Sequence, residues 1–215
     1  IVINVSIVGG SGYTGGELLR LLLFHDSCEV KQVTSERFAG KAIHKAHPNL
    51  RGAGSLKFCN LTELEPCNVL FLCLPHGRTA ERFDDFSALA PRIIDLSADF
   101  RLSDPESYTK WYGQPHPNPG LLDRFVYGVP EINRAAIQDA THVACAGCNA
   151  TASTLALAPL ANRNLISSVV IDVKAGSSEA GNAATEGSHH PERSGAVRSY
   201  RPTRHRHVAE IKQQI

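Results

Sequence analysis

A parallel α/β fold is the class this sequence predicts, on three observations. A buried-strand pattern runs from Val2 to Val8, a glycine-rich turn follows it at once, and short apolar strands then alternate with helical segments along most of the chain. Strands covered on both faces read as continuous apolar runs, as Val69-Leu70-Phe71-Leu72-Cys73-Leu74 does.

The first strand leads into Gly9-Gly10-Ser11-Gly12-Tyr13-Thr14-Gly15-Gly16 and then Glu17-Leu18-Leu19-Arg20-Leu21-Leu22-Leu23. Strand, glycine loop and helix in that order form the setting of a dinucleotide fingerprint, here spaced GxxGxxG and not GxGxxG. Gly9, Gly12 and Gly15 serve the tight turn, the approach of backbone to a pyrophosphate and the packing of helix on strand. Ser11, Tyr13 and Thr14 border the same phosphates at the helix start. The next strand, about 29–34, ends in Ser35-Glu36-Arg37. Ser35 and Arg37 suit a ribose 2′-phosphate and so favour NADP(H), while Glu36 keeps NAD open. A Rossmann-type, doubly wound parallel sheet is therefore expected.

Further strands are expected at 69–74, 93–96 and 141–145, with a helix over 78–89. Open parallel sheets bind ligands at the carboxyl ends of their strands, which puts Pro75-His76-Gly77 and Ser97-Ala98-Asp99-Phe100-Arg101 at the cofactor crevice. The stretch 111–127, with prolines at 115, 117 and 119, reads as an irregular excursion.

Cys148 lies where Gly147 turns the chain into a helix over about 149–163. The unpaired N–H groups of a helix start, with its dipole, are expected to lower a thiol pKa toward neutrality and make a nucleophile for acyl carbon. Asn149, whose N–H opens the same helix, suits an oxyanion donor. Two other readings weigh less. Cys145-Ala-Gly-Cys148 has redox-dithiol spacing but follows a whole dinucleotide-domain pattern. Cysteine with His205 and His207 offers zinc donors, yet no metal is needed to explain them.

A strand over 169–174, the loop 175–182 and a polar stretch to Arg206 suggest a second, substrate-facing α+β domain. Between Thr185 and Lys212 there are five arginines, one lysine and four histidines against three glutamates, an excess suited to an anionic substrate or acidic partner. Helix-like sequence over 207–215 then stops without a cap, and no initiator methionine precedes Ile1. A fragment is expected, with a cofactor domain over 1–147 and the start of a catalytic, dimerisation domain over 148–215.

The outer bounds are ordinary: 215 residues, 42% hydrophobic, 20% charged, net charge +1. No apolar run approaches the roughly 20 residues of a membrane span, and no signal peptide is evident. A cytoplasmic protein with six reduced cysteines is expected. Nucleic acid is disfavoured, because the positive excess is local and lacks interleaved aromatics apart from Tyr200.

Four motifs together carry a resemblance: Gly-Gly-Ser-Gly-Tyr-Thr-Gly at 9–15, Asp-Leu-Ser-Ala-Asp-Phe-Arg at 95–101, Gly-Cys-Asn-Ala-Thr-Ala at 147–152, and His-Arg-His at 205–207 followed by Glu210. The chain resembles the N-acetyl-γ-glutamyl-phosphate reductase family. His-Pro-Asn-Leu-Arg-Gly at 47–52, Asn149 and Ser-His-His-Pro-Glu-Arg-Ser-Gly at 188–195 resemble its lysine-pathway branch more closely. That branch reduces the 6-phosphate of 2-aminoadipate held on a small acidic amino-group carrier protein. The resemblance implies NADPH-dependent reduction of an acyl phosphate to a semialdehyde through a Cys148 thioester, in a homotetramer or dimer. It implies His205 as acid/base and Glu210 as the group that orients its ring. Arg101 would clamp phosphate through its guanidinium. Arg193 and Arg198 would meet substrate or carrier. Arg204 departs from the glycine usual before His-Arg-His. An arginine-pathway substrate, and a non-catalytic dinucleotide-binding module, stay open.

Overall fold

The strand-and-helix alternation of the first two-thirds of the chain builds one sheet of seven strands, all paired in parallel, in the order β3-β2-β1-β4-β5-β7-β6. These are β1 Ile3–Val8, β2 Cys28–Thr34, β3 Phe58–Cys59, β4 Val69–Leu72, β5 Arg92–Asp95, β6 Phe125–Gly128 and β7 His142–Cys145. The computed structural model describes residues 2–215. It divides into two units, the first ending at Ala146 and the second running from Gly147 to Ile215.

In the first unit, the chain leaves β1 toward β2 on one side and leaves β4 toward β5 on the other, which makes the β1/β4 boundary the switch point where such sheets bind ligands. One face packs Val5, Ile7, Val33 and Phe58 under Leu19 and Leu22, and another cluster joins Val8, Leu70, Leu72 and Ile93 to Phe83 and Phe86. Each such fully buried side chain contributes about 1.5–3 kcal/mol.

Helix α1, Tyr13–Leu22, starts earlier than the leucine-rich run suggested, with Gly12 as its N-cap. Gly15 and Gly16 therefore fall inside a helix, at a propensity cost of roughly 1 kcal/mol each. Contact explains them: a Cβ at Gly15 would stand 2.6 Å from Gly10 Cα, and one at Gly16 would stand 2.5 Å from the His47 ring. Gly9 holds φ +79° beneath the Cys73 carbonyl, where only glycine is comfortable.

The helix expected over 78–89 is broken at Arg82 (φ −123°, ψ 22°) into α2, Arg78–Glu81, and α3, Phe83–Ser87. The break lets Thr79 and Ala80 bond to the β5 loop while Phe83 and Phe86 enter the core. Two helices that sequence reading passed over are α4, Pro105–Tyr112, capped by Asp104 and ended by Gly113 at φ 79°, and α5, Pro130–Asp139. The excursion expected over 111–127 holds a 3₁₀ turn at Pro119–Arg124 and then the edge strand β6.

The second unit holds α6, Cys148–Ala161, α7, His190–Arg193, and α8, His207–Gln214. Residues 169–174 do not form the expected strand. They carry no regular secondary structure and no strand partner among the described residues, and Val170 is 97% exposed. A strand exists only through its ladder, and β-branched composition alone does not make one.

Beyond β5 a knot of buried carboxylates ties the loops together. Asp99, fully buried, accepts from the Gly77 and Ala80 N–H groups at 2.6 and 2.9 Å and stands 2.7 Å from His76 Nδ1. Burial pushes its carboxyl up, but the bonds from His76, Gly77 and Ala80 outweigh that and leave it below its ordinary value. Asp95 accepts from Thr79 Oγ1, Ser97 N–H and Ser97 Oγ. Burial dominates there and raises it to about 6.

Two measurements check this frame. Gly15→Ala should lower the stability of the first unit by about 1–3 kcal/mol in a urea titration through overlap with Gly10. Gly12→Ala, whose Cβ would meet nothing within 4 Å, should stay within about 0.5 kcal/mol of the parent. Because Asp95 is raised in the fold, its contribution is fullest below the ordinary value of 3.8 and falls as pH climbs to about 6. Asp95→Asn removes that fall, so the stability difference between variant and parent should move in the variant's favour between pH 4 and pH 7. A difference that does not change with pH would sink the assignment.

Candidate active site

The dinucleotide end of the first unit is built from the residues the sequence marked, with additions. Gly9 N–H bonds to Thr34 Oγ1 at 3.1 Å and Gly10 N–H to the Thr34 carbonyl at 2.9 Å, so β2 holds the loop that leaves β1. His47 Nε2 lies 2.7 Å from the Gly10 carbonyl, and its buried ring closes the other side. No side chain caps α1, its first turn carries no acid, and the space beside Gly12 is open. This fits a pyrophosphate: open N–H donors at the positive end of a helix, with exposed Tyr13 and Thr14 beside them. Ser35 is buried, donates to Ser11 Oγ at 2.9 Å and accepts from Phe38 N–H, so it braces the loop. Glu36 and Arg37 are exposed. The Arg37 guanidinium lies 5.2 Å from the Phe38 ring centre and Lys41 Nζ 5.6 Å from it, which supplies a second cation that sequence reading did not mark.

Arg101 donates from Nε to the Cys145 carbonyl at 2.8 Å and from Nη2 to the Leu96 carbonyl at 3.0 Å. It thus clasps the ends of β7 and β5. Cys145 is a free thiol pushed up to about 11 by burial and then by Asp95, far from a redox-active value. Among the described residues no group of three or more His, Cys, Asp or Glu side chains is arranged to hold a metal.

In the second unit Cys148 is the first residue of α6, whose N-cap is Gly147. Gly147 N–H donates to Glu210 Oε2 at 2.9 Å, and the His207 ring lies so close to Gly147 that a Cβ there would overlap it. Glu210 is fully buried and faces His207 Nε2 at 3.7 Å. Glu210 thus accepts a bond from the backbone that opens the cysteine helix, and on His205 it acts as a nearby charge. His205 Nδ1 accepts from His207 N–H at 3.2 Å, and Nε2 lies 3.4 Å from Tyr200 Oη. Burial first, then Arg206 and Arg201, hold its pKa below the ordinary value against the pull of Glu179.

Glu179, within the loop expected over 175–182, sits against the cysteine. Its Oε1 accepts from Asn149 Nδ2 at 2.7 Å and lies 3.6 Å from Cys148 Sγ, while Tyr200 Oη donates to Oε2 at 3.3 Å. The thiol is therefore raised, by burial and then by Glu179, and not lowered as the helix start alone suggested. A helix end offers about half a positive charge, against a whole negative charge 3.6 Å away. The Asn149 N–H still favours thiolate. Arg193 Nε bonds to Ser177 Oγ at 3.1 Å, and Arg198 pairs with Glu192 at 2.6 Å across an exposed surface, where such pairs contribute little.

The first unit is thus a Rossmann-type dinucleotide-binding domain, and the chain carries two family signatures. Residues 4–140 match the semialdehyde dehydrogenase NAD-binding domain and residues 148–215 the semialdehyde dehydrogenase dimerisation domain. The chain belongs to the semialdehyde dehydrogenase family, and its cofactor is of the NAD(P)(H) class. A protein of Thermomicrobium roseum is 54% identical over 218 residues, covering all of this chain and 62% of its own length. The [LysW]-L-2-aminoadipate 6-phosphate reductase of Deinococcus radiodurans is 51% identical over 214 residues, covering 99% of this chain and 62% of its own length. The [LysW]-L-2-aminoadipate/[LysW]-L-glutamate phosphate reductase of Saccharolobus solfataricus is 46% identical over 218 residues, with the same two shares. The chain thus spans about three-fifths of the length of these relatives. Among solved structures, aspartate semialdehyde dehydrogenase II of Vibrio cholerae matches the fold with TM-score 0.56 at 18% identity, over 75% of this chain and 47% of its own. No described helix is long and apolar enough to cross a membrane.

Because Cys148 is raised, its alkylation by iodoacetamide should titrate with a midpoint above that of an ordinary free cysteine. A midpoint near neutrality, followed by mass spectrometry of the Cys148 peptide, would contradict this geometry.

Proposed function

We propose that the whole protein reduces an acyl phosphate to a semialdehyde with NADPH, and that the substrate is L-2-aminoadipate 6-phosphate held on a small acidic carrier protein. The observation that carries this is Cys148 at the opening of α6, with the Asn149 N–H directed at its sulfur, in a chain with these relatives. The chemistry divides at residues 147/148, cofactor before and thiol after.

In this reading Gly9, Ser11, Gly12, Tyr13 and Thr14 hold the pyrophosphate of NADPH, and Arg37 with Lys41 holds its 2′-phosphate. Ser35 supports that loop, and Glu36 borders it. Bound NADPH supplies hydride to the acyl carbon. Cys148 attacks that carbon and displaces phosphate, while the N–H of Asn149 stabilises the oxyanion. His205 accepts a bond at Nδ1, which leaves the proton of its neutral ring on Nε2, where it can donate a hydrogen bond to the reacting oxygen. Buried His207 instead packs on Gly147. Arg101 receives substrate phosphate. Arg193 and Arg198 face an acidic carrier. A homodimer or tetramer and a cytoplasmic location go with this reading.

The deciding experiment runs the reaction backward on the intact protein, following NADP reduction with inorganic phosphate. Carrier-linked aminoadipate semialdehyde should be strongly preferred over N-acetylglutamate semialdehyde. The opposite preference would make the enzyme one of arginine synthesis, and inactivity with both would leave a non-catalytic dinucleotide-binding module. Cys148→Ala should lose turnover by at least about 10³-fold while still binding NADPH.

A further inference from the structure

We propose that Glu179 is the base that takes the Cys148 proton as the thiol attacks its acyl substrate, an inference that rests on the acyl-phosphate reading above. Of the groups around the sulfur, Glu179 has the geometry for it. Its Oε1 is 3.6 Å from Sγ, within reach of an S–H donor, and is fixed there by the 2.7 Å bond from Asn149 Nδ2. Its other oxygen is held by Tyr200 Oη at 3.3 Å, so both ends of the carboxylate are positioned.

His205, the usual kind of residue for such work, is set up differently. Its Nδ1 lone pair is occupied by the His207 N–H, so Nε2 carries the proton of the neutral ring and faces Tyr200. In that state the ring has a hydrogen bond to donate and no free lone pair to offer. Base and hydrogen-bond donor are thus separate side chains, with Tyr200 between them.

The step balances as follows. The Sγ–C bond forms while the bond from carbon to the phosphate oxygen breaks, and the thiol proton moves to Glu179 Oε1. The departing phosphate takes a proton from solvent. Once hydride has reached the carbon, collapse of the tetrahedral alkoxide breaks the C–S bond, and the sulfur recovers its proton from Glu179. One hydride and one solvent proton are consumed per turnover.

Glu179→Gln tests this, because the amide keeps an acceptor for Asn149 and removes the base. Two readouts on the intact protein are compared at matched pH: the pH midpoint of Cys148 alkylation, and the rate of the phosphate burst from whichever acyl phosphate the parent turns over. Removing the negative charge should lower the alkylation midpoint and so raise the thiolate fraction at neutral pH. The burst should nonetheless slow by about 10²-fold or more. Glu179→Asp, which keeps a carboxylate on a shorter arm, should give an intermediate burst rate and serves if the glutamine variant does not fold. A lowered midpoint with an unchanged or faster burst would overturn the proposal, since Glu179 would then act only as a charge. An unmoved midpoint would also overturn it, by removing the contact. If the parent releases phosphate from no acyl phosphate offered with NADPH, the acyl-phosphate reading falls and the base role with it, whereas a shifted midpoint alone would still establish the Glu179 contact.

Discussion

The carboxyl edge of the sheet depends on one buried carboxylate. A parallel sheet delivers its loops to a single edge, where N–H groups and carbonyls leave the ladder unpaired and must find partners. Asp99 answers for several of them at once: it binds the Gly77 and Ala80 amides after β4, pairs with His76, and offers its own carbonyl to His116 Nε2 at 3.1 Å. Two residues on, Arg101 binds the carbonyls that end β5 and β7. A motif that looks like a string of ligands is in good part the fastening of the ligand-binding edge. Removing the Asp99 charge would leave buried donors unmet, at about 1–3 kcal/mol apiece.

The elements legible in the sequence were those whose signal is local. β1, β4, β5 and β7 lie inside the sheet and spell short, largely apolar runs, β2 alternates apolar with polar residues, and the glycines between β1 and α1 announce a turn that side chains would block. Two helices with good local signals were still missed. Asp104-Pro105 and Val129-Pro130 open α4 and α5, yet the prolines read as loop, although proline is favoured in the first turn of a helix. At 169–174 the opposite happened: the composition is that of a strand, but pairing is a property of two segments, and no described segment pairs with this one.

The site divides along the same line. Gly9, Gly12 and Cys148 could be found because their roles follow from what stands next to them in sequence. Glu179 could not, being 31 residues from the cysteine it faces, in a run of small residues with no period. His47 was visible as part of a motif, but its reach to the Gly10 carbonyl spans 37 residues. Glu210 stands out in sequence by its closeness to the histidine pair, but its bond from the Gly147 amide spans 63 residues and has no local signal. In α8 it lies three residues from His207, which puts the two on one face of the helix and brings the carboxylate to the Gly147 amide.

The raised thiol of Cys148 bears on how such a site stays both safe and reactive. A thiolate exposed while no substrate is present is open to oxidation, and susceptibility follows thiolate character. Here the helix start favours thiolate while burial and Glu179 oppose it, and the opposition wins. The group that does most, after burial, to keep the proton on sulfur is also the nearest carboxylate able to receive it. Nucleophilicity then need not be stored in the resting sulfur, because the proton can leave as the S–C bond forms. The Asn149 side chain fixes the carboxylate and its backbone amide faces the sulfur, so one residue at the start of α6 serves both sides of that balance.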